Sequence, residues 1–503
     1  MIVETQYLFR SKTLFVSYIN REGDLKSTLF PWGSPFKFVP CNRSDKDCHP
    51  TYKSWDGKHV KMETSDRPDK HSIYYFLDSL PKEKTEELFE FNLPNIYFID
   101  IETEILPDIG FPDAKQAPAK ILSISIIFDD KIILMGVKDL SEREVNNITK
   151  DTNEYFKNFD IEYKLKYIKY DCEFDMLYGF FHRFLPHMPC ITGWNFLAFD
   201  LNYLINRARK ISKTEFGSTK IIKPEMGSPL KRIKEIWLTD YEVPSHKLVF
   251  DYMHLYESLD TSIKVKESSS LDFVSENILG LKKIEYDKSL KELYEEDFER
   301  FMLYNAVDSV LVQQIHLKMG YMSILFAIAS MARIQAIDVY NYKEKSPGSL
   351  AITEGLLRGR FREQANIILF KDPTKRKGEN VGLKGGWVKE PNVGMNRFVA
   401  CYDFASLYPT TQRQFFIAPE NHLGKVYEKD PTKVLTRNEQ LLPINENMVV
   451  TYNKNVFLKV ESPTLQMLED VYADRKASKA KMFKHKSKME ELMKEKKRLE
   501  EMI

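Results

Sequence analysis

The feature that most constrains the fold is a short apolar stretch that carries two carboxylates, Phe98-Ile-Asp-Ile-Glu-Thr103. It predicts a strand from Asn95 to Ile101 that leads into Glu102. Residues two positions apart in a strand point to the same face, so Asp100 and Glu102 would face the same way. Two carboxylates on one face of a buried strand are costly unless cations share the site. We therefore expect a divalent-metal site with oxygen ligands, with solvated acids at an exposed strand end as the alternative.

The composition is that of a folded protein long enough for several domains. The chain has 503 residues, of which 43% are hydrophobic and 29% charged, which predicts about three domains with cores rather than disorder. The net charge of +1 excludes a global basic field, so any nucleic-acid surface must be local. The five cysteines are scattered, which favours reduced thiols, and neither a signal peptide nor an apolar run of about 18 residues is found. We expect a soluble protein without a membrane partner.

Regular elements are predicted around the acidic strand. Apolar runs at 121–128 and 131–137 predict that it begins a β-meander. Apolar spacing predicts a helix over 173–184. A hairpin-like insertion is expected at roughly 227–249, and it contains the basic residues Lys231 and Arg232.

Two later segments carry further candidate ligands. Asp200 stands where the stretch 191–200 runs into a helical apolar pattern, and taken alone it is more simply an N-terminal helix acid. Tyr304 and Asp308 are four residues apart in a helix predicted from Asp297 to Met319, so they share one face. Apolar neighbours surround Asp308, which is unusual for a solvated charge. A surface aspartate beside a half-buried tyrosine remains the alternative.

These three segments, in this order, resemble the motifs of the 3′→5′ proofreading exonucleases that use four acids and a tyrosine. The resemblance implies that two metal ions, Mg²⁺ or Mn²⁺, are held by Asp100, Glu102, Asp200 and Asp308. It also implies that Tyr304 helps to position the attacking water. Phosphodiester hydrolysis fits such a site, because two cations a few ångströms apart can activate water and stabilise the leaving oxygen.

A further motif follows, Phe398-Val-Ala-Cys-Tyr-Asp-Phe-Ala-Ser-Leu-Tyr-Pro-Thr410, which predicts an apolar strand ending at Asp403. A strand-to-helix junction with an N-cap aspartate is the alternative. With the exonuclease motifs before it, the chain resembles the amino-terminal portion of a family B DNA polymerase of the tailed-phage, T-even-like type. The resemblance implies that Asp403 and the carbonyl of Phe404 bind a polymerase metal. It implies that Leu407 and Tyr408 contact the nucleotide, with Tyr408 stacking under its sugar.

The resemblance extends to two other segments. Gly385-Gly386 would match a linker along the template strand. From about Ser462 the pattern predicts one long helix, with seven Lys or Arg and no acid between residues 475 and 488. The resemblance implies that Arg475 and Lys479 grip the triphosphate of a dNTP, a role that suits the bidentate geometry of arginine. A solvated helix face is the alternative.

Two motifs expected of such a polymerase are absent from the 503 residues. Neither Lys-x3-Asn-Ser-x-Tyr-Gly nor Asp-Thr-Asp occurs, so a second palm aspartate is missing. We expect either a naturally split polymerase, completed by a carboxy-terminal partner chain, or a truncated sequence. Apolar residues of the last helix would then pair with a partner helix, and a sliding clamp would bind through that partner.

The expected fold class is therefore α/β, of the multidomain α+β kind. The predicted domains are a small mixed domain at 1–93, with 330–375 packing back on it, and a ribonuclease H-like exonuclease at 94–329. The first part of the palm follows at 376–460, and an incomplete fingers helix at 461–503. The expected function is that of a partial replicative polymerase with proofreading, acting on primer-template DNA, single-stranded 3′ ends and dNTPs in a host cytoplasm. The alternatives are a stand-alone exonuclease with a vestigial palm and a non-catalytic DNA- or replisome-binding module.

Overall fold

The chain forms two compact units in the computed structural model. One unit comprises Met1–Ser34 and Tyr75–Gly355, and the other comprises Pro35–Tyr74 and Leu356–Ile503. The described residues are 1–54, 57–106, 112–214, 230–234, 240–260, 267–284, 289–341, 346–347, 349–369, 389–390, 393–395, 397–404, 406–437 and 439–500.

The strands in chain order are β1 (Ile2–Leu8), β2 (Thr13–Ile19), β3 (Leu25–Pro31), β4 (Phe36–Cys41), β5 (Lys53–Ser54), β6 (His59–Thr64), β7 (Ile96–Thr103), β8 (Ile121–Phe128), β9 (Lys131–Gly136), β10 (Lys164–Lys169), β11 (Cys190–Gly193), β12 (Leu230–Lys234), β13 (Asp240–Pro244), β14 (Leu248–Asp251), β15 (Tyr340–Asn341), β16 (Ser346–Pro347), β17 (Ile367–Ile368), β18 (His422–Tyr427), β19 (Asp430–Thr436), β20 (Leu441–Pro443), β21 (Met448–Val450) and β22 (Asn455–Leu458).

The α-helices are α1 (Lys70–Asp78), α2 (Lys82–Phe89), α3 (Glu142–Tyr155), α4 (Glu173–Gly179), α5 (Asp200–Thr214), α6 (Tyr252–Leu259), α7 (Leu271–Leu279), α8 (Leu290–Glu296), α9 (Phe298–Met319), α10 (Tyr321–Ala332), α11 (Ala336–Val339), α12 (Ser349–Ala365), α13 (Leu407–Gln414) and α14 (Pro463–Glu500). A π-helical turn, Phe180–Phe184, continues α4, and two 3-10 turns lie at Leu185–His187 and Pro419–Asn421. The predicted helix over 173–184 is thus confirmed, with a widened last turn.

A six-stranded sheet forms the centre of the first unit, in the order β10-β9-β8-β7-β11-β14. The strands β7, β8 and β9 pair antiparallel, which confirms the predicted meander. Strand β11 lies parallel to both β7 and β14, and β10 lies parallel to β9. The order of the five strands from β9 to β14, with β8 antiparallel, is the ribonuclease H-like arrangement, so the predicted fold class is confirmed.

The central sheet forms where the sequence is most apolar and β-branched. Strand β8 reads Ile-Leu-Ser-Ile-Ser-Ile-Ile-Phe, and only Phe128 at its end is not buried, as expected of a strand covered on both faces. Its two serines, Ser123 and Ser125, are the polar exceptions. They lie directly opposite Glu102 and Asp100 on β7, so these four side chains share one face of the sheet.

The helix α9 covers that polar part of the sheet. It begins after Asp297, whose side chain accepts a hydrogen bond from the backbone N–H of Arg300, and it ends at Gly320, which adopts a left-handed φ of 65°. The prediction of a helix from Asp297 to Met319 is confirmed.

Among the described helices, no single one is long and apolar enough to span a membrane. The pair α9 and α10 meets the length and composition criteria together, with a bend of 53° between the two helices.

Smaller elements of the first unit also follow the sequence. The strands β1, β2 and β3 form an antiparallel sheet, and Gly23 donates to the Asn20 carbonyl in the predicted turn between β2 and β3. The predicted hairpin exists as the antiparallel pair β12 and β13. Lys231 and Arg232 lie on β12, and the structure describes the backbone of that strand only.

The second unit contains two further sheets. One has the order β17-β5-β6-β4 and the other the order β20-β19-β18-β22-β21. The long helix predicted from Ser462 is confirmed as α14. The predicted strand from Phe398 to Asp403 is wrong: the described residues there form no strand, and the side chain of Phe398 is fully exposed. A strand requires a partner for its backbone groups, and no strand of the described residues pairs with this segment.

Candidate functional site

Three carboxylates from two distant parts of the chain meet in the first unit. Asp100 and Glu102 extend from one face of β7, as their spacing predicts, and Asp308 extends from α9. One oxygen of each lies within 4.8 Å of an oxygen of the others. Asp308 is buried, and the two β7 residues are partly buried. The crossing of α9 over β7 and β8 therefore creates the acidic cluster.

Asp200 lies beside this cluster. It is the first residue of α5 and is buried, and its Oδ1 accepts a hydrogen bond of 3.2 Å from the backbone N–H of Ile101. Ile101 stands between Asp100 and Glu102 on β7, so Asp200 is attached to the strand that carries both. The charge of Asp100 acts on Asp200 as well, raising its pKa after the larger effect of burial.

The four acids hold their protons more tightly than isolated carboxyls do. Burial, followed by the charge of Asp308, raises the pKa of Asp100 to about 7. Burial raises the pKa of Glu102 and of Asp200 well above their usual values, and burial also raises that of Asp308. A bound cation would reverse this effect, because it favours the ionised form of each carboxyl.

One cation of the chain already lies in the cluster. The Nζ of Lys283 is 2.6 Å from Oδ2 of Asp308 and 3.5 Å from the hydroxyl oxygen of Tyr304. Burial would lower the pKa of Lys283, but the negative groups around it, Asp308 first, raise it above its usual value. Lys283 was not predicted from the sequence; it is one of 74 Lys and Arg residues and lies in a short segment between α7 and α8. No sequence pattern distinguishes it from the others.

The residues of the cluster fit a divalent cation such as Mg²⁺ or Mn²⁺. All the acidic donors are carboxylate oxygens, which such hard cations prefer. Asp308 Oδ1 is buried and has no hydrogen-bond partner among the described residues, although an unpaired buried acceptor is costly. Tyr304 shares the helix face of Asp308, as predicted. Burial raises the pKa of Asp308, and the charge of Lys283 and, after it, hydrogen bonding by the Tyr304 hydroxyl act against that rise.

A buried amide connects the cluster to the sheet. Asn305 Nδ2 donates to Asp100 Oδ2 at 2.7 Å, and Asn305 Oδ1 accepts from Ser123 Oγ at 3.1 Å. Both Asn305 and Ser123 have no exposed surface. This pair was not predicted from the sequence either, because the two residues are 182 positions apart.

The candidate polymerase residues lie in the second unit. Asp403 and Phe404 are exposed and lie just before α13, and Leu407 and Tyr408 begin that helix with exposed side chains. Among the described residues, the acidic cluster of the first unit is the one place where three or more potential metal ligands lie close together. Asp403 is not part of such a group. Gly385 and Gly386 lie outside the described residues.

Arg475 and Lys479 lie one turn apart on α14, as predicted. The Nη1 of Arg475 donates to Ser406 Oγ at 3.3 Å, which connects α14 with the start of α13. The Nζ of Lys479 lies 5.7 Å from the centre of the Phe483 ring on the same helix. Arg475 is thus placed next to the segment that carries Asp403 and Tyr408.

Two family models match the chain. The exonuclease domain of DNA polymerase family B matches residues 72–274, and DNA polymerase family B itself matches residues 348–500. The first match contains Asp100, Glu102 and Asp200, and the second contains Asp403. Tyr304 and Asp308 fall between the two, so their place in the site rests on the structure.

Curated relatives agree with the family models. The chain is 27% identical over 341 residues to the DNA-directed DNA polymerase of Escherichia phage RB69, covering 65% of this chain and 36% of the relative. It is 26% identical over 264 residues to that of Enterobacteria phage T4, covering 52% and 27%. It is 28% identical over 324 residues to the DNA polymerase catalytic subunit of Human herpesvirus 7, covering 60% and 29%. The aligned regions span only about a third of the length of these relatives. The chain belongs to DNA polymerase family B, and it carries the exonuclease domain of that family together with part of the polymerase domain.

Proposed function

We propose that this chain is the amino-terminal part of a replicative DNA polymerase of the tailed-phage type and that its first unit is a 3′→5′ proofreading exonuclease. Its substrates would be single-stranded or frayed 3′ ends of DNA in the cytoplasm of an infected host. The observation that carries the proposal is the convergence of Asp100, Glu102 and Asp308, with Asp200 attached to the same strand.

Two divalent ions, Mg²⁺ or Mn²⁺, would be held by the four acids. When bound, they would supply activation of the attacking water and stabilisation of the negative charge on the leaving 3′ oxygen. The unpaired buried oxygen of Asp308 supports this proposal, because a ligand role gives that atom the partner it otherwise lacks.

The remaining residues of the site would position the reactants. The Tyr304 hydroxyl, one helical turn from Asp308, would hold the attacking water by a hydrogen bond. The Lys283 ammonium, which contacts both Asp308 and Tyr304, would fix the orientation of these two groups and attract the phosphodiester. A lysine is suited to this role as a compact point charge with several donors.

The second unit would contribute to nucleotide addition. By the family resemblance, Asp403 and the carbonyl of Phe404 would bind a polymerase metal, Leu407 and Tyr408 would contact the nucleotide, and Arg475 and Lys479 would hold its triphosphate. Two metal ions require more than one carboxylate, and no Asp-Thr-Asp occurs in the 503 residues. We therefore propose that addition of dNTPs requires a polypeptide that carries the second palm aspartate, as a separate partner or as a continuation of this chain. A sliding clamp would bind through that polypeptide.

A degradation assay tests the exonuclease proposal. The purified chain with Mg²⁺ should shorten a 5′-labelled single-stranded oligonucleotide from its 3′ end, and Asp100→Asn with Asp308→Asn should abolish this activity. Thermal unfolding of the double variant in EDTA controls for folding. Equal degradation by the double variant, or none by the wild type, would contradict the proposal and favour a DNA-binding module. Incorporation of dNTPs by this chain alone would contradict the proposed requirement for a second palm aspartate.

A further inference from the structure

Asn305 is placed where it controls the orientation of one acid of the cluster. It lies on α9 between Tyr304 and Asp308, and its side chain points from the helix to the sheet. Its Nδ2 is 2.7 Å from Asp100 Oδ2, and its Oδ1 is 3.1 Å from Ser123 Oγ. Neither Asn305 nor Ser123 has exposed surface, so the bond between them is shielded from water.

The direction of the amide follows from chemistry. An ionised carboxylate, the form that a bound cation favours, only accepts hydrogen bonds, so the NH₂ end of Asn305 faces Asp100 in that form. The carbonyl end then needs a donor, and the Ser123 hydroxyl supplies one. Ser123 stands on β8 directly opposite Glu102, so the anchor of Asn305 is part of the same sheet face that carries the acids.

This arrangement gives one oxygen of Asp100, Oδ2, a fixed donor. The acidic cluster takes one oxygen from each of its acids. The carboxylate of an aspartate otherwise rotates broadly about its last torsion angle, so a fixed donor on one oxygen selects which way the other points. A residue that orients a metal ligand in this way affects the metal affinity although it does not touch the metal.

We propose that Asn305, anchored by Ser123, is a positioning residue that fixes the Asp100 carboxylate for divalent-cation binding. The proposal rests on the proposed exonuclease function, because it deepens the description of that metal site. Loss of such a supporting hydrogen bond typically reduces metal affinity by about 10- to 100-fold.

Binding of Mn²⁺ to the full chain without DNA, followed by electron paramagnetic resonance of the free ion, provides the test. Asn305→Leu keeps the approximate size and removes both hydrogen bonds, and it should weaken Mn²⁺ binding by about 10- to 100-fold. Ser123→Ala leaves the amide but removes its anchor, so a smaller loss in the same direction is expected. The matched control is Ser309→Ala on the same helix, α9. It removes a buried hydroxyl that is hydrogen-bonded to Ser125 of β8, and it should leave the affinity unchanged.

Thermal unfolding in EDTA separates positioning from a merely structural role. If Asn305 only joins the helix to the sheet, Asn305→Leu lowers the unfolding temperature and leaves Mn²⁺ affinity as in wild type, which would overturn the proposal. Should Asn305→Leu fail to fold, Ser123→Ala decides, because wild-type affinity in that variant also overturns it. If Asp308→Asn binds Mn²⁺ as well as wild type does, the metal site itself is wrong. Loss of binding in Asp308→Asn with wild-type binding in Asn305→Leu contradicts only the role of Asn305.

Discussion

Replacing Lys283 by methionine should slow the exonuclease without weakening its metal binding. The Nζ lies 2.6 Å from Asp308 Oδ2, and a hydrogen bond between charged groups contributes about 1.5–3 kcal/mol. The Lys283 side chain is 31% exposed, so the larger cost of breaking a fully buried ion pair, about 3–5 kcal/mol, does not apply. Only an interaction that is stronger in the transition state than in the ground state speeds the reaction, so if the ammonium gains this amount there, its loss corresponds to a rate lower by about 10- to 100-fold.

Metal affinity, unlike the rate, should not decrease when Lys283 is replaced by methionine. An ammonium group in the cluster repels a divalent ion and occupies an oxygen of Asp308. Its removal should therefore leave Mn²⁺ affinity equal to or higher than that of wild type, in contrast to Asn305→Leu. Single-turnover degradation of a 5′-labelled oligonucleotide at saturating Mg²⁺ measures the rate, and Mn²⁺ binding without DNA measures the affinity.

The neighbouring residue offers a matched control. Lys282 forms a surface ion pair with Glu276 at 3.4 Å, with both side chains about half exposed, so Lys282→Met should change neither rate nor affinity measurably. The proposed role of Lys283 in the rate of degradation is refuted if Lys283→Met degrades DNA as fast as Lys282→Met does. A decrease in Mn²⁺ affinity in Lys283→Met would refute the electrostatic part of the explanation.

Three further predictions concern stability. The folded pKa of Asp100, about 7, lies above its unfolded value of 3.8, so its favourable contribution is complete below pH 3.8 and is lost as the pH rises through 7. In EDTA, thermal unfolding should show Asp100→Asn gaining stability relative to wild type over that interval, and a constant difference would contradict the pKa. Mn²⁺ at about 100 times its dissociation constant should stabilise wild type by about 2.7 kcal/mol in urea unfolding, and equal stabilisation of Asp308→Asn would place the ion elsewhere. Arg207→Met breaks a pair with Glu173 whose side chains are 7% and 12% exposed, so urea unfolding should show a loss of about 3–5 kcal/mol. The exposed Lys169 pairs with Asp139, and Lys169→Met should cost no more than about 1 kcal/mol; equal losses would contradict the role of burial.

Local periodicity explains why much of the acidic cluster was predictable. The spacing of Asp100 and Glu102 determines their common face on any strand, and the spacing of Tyr304 and Asp308 does the same on any helix. The apolar runs around them determine that both elements are buried. What periodicity leaves open is which helix crosses which strand, and the order of motifs in a known family supplied that step.

The residues that were missed act through long-range contacts. Lys283 approaches Asp308 across 25 positions, and Asn305 approaches Asp100 across 205. Neither has a local pattern, because a lysine in a polar segment and an asparagine in a helix are ordinary. The incorrect strand before Asp403 has a related cause: its apolar sequence suits a strand, but a strand forms only when another strand satisfies its backbone groups.

The charges of the site favour two divalent ions over one and give Lys283 a reason to be there. Four ionised acids and one ammonium have a net charge of minus three. One divalent ion would leave minus one, which repels the phosphodiester. Two ions give plus one, which attracts the single negative charge of the phosphodiester and makes the occupied site neutral. Without Lys283, two ions would only cancel the acids, and the attraction for the substrate would disappear. The lysine therefore fits the proposed site, which would bind two ions and an anion together. The rate loss expected for Lys283→Met should be largest at low DNA concentration.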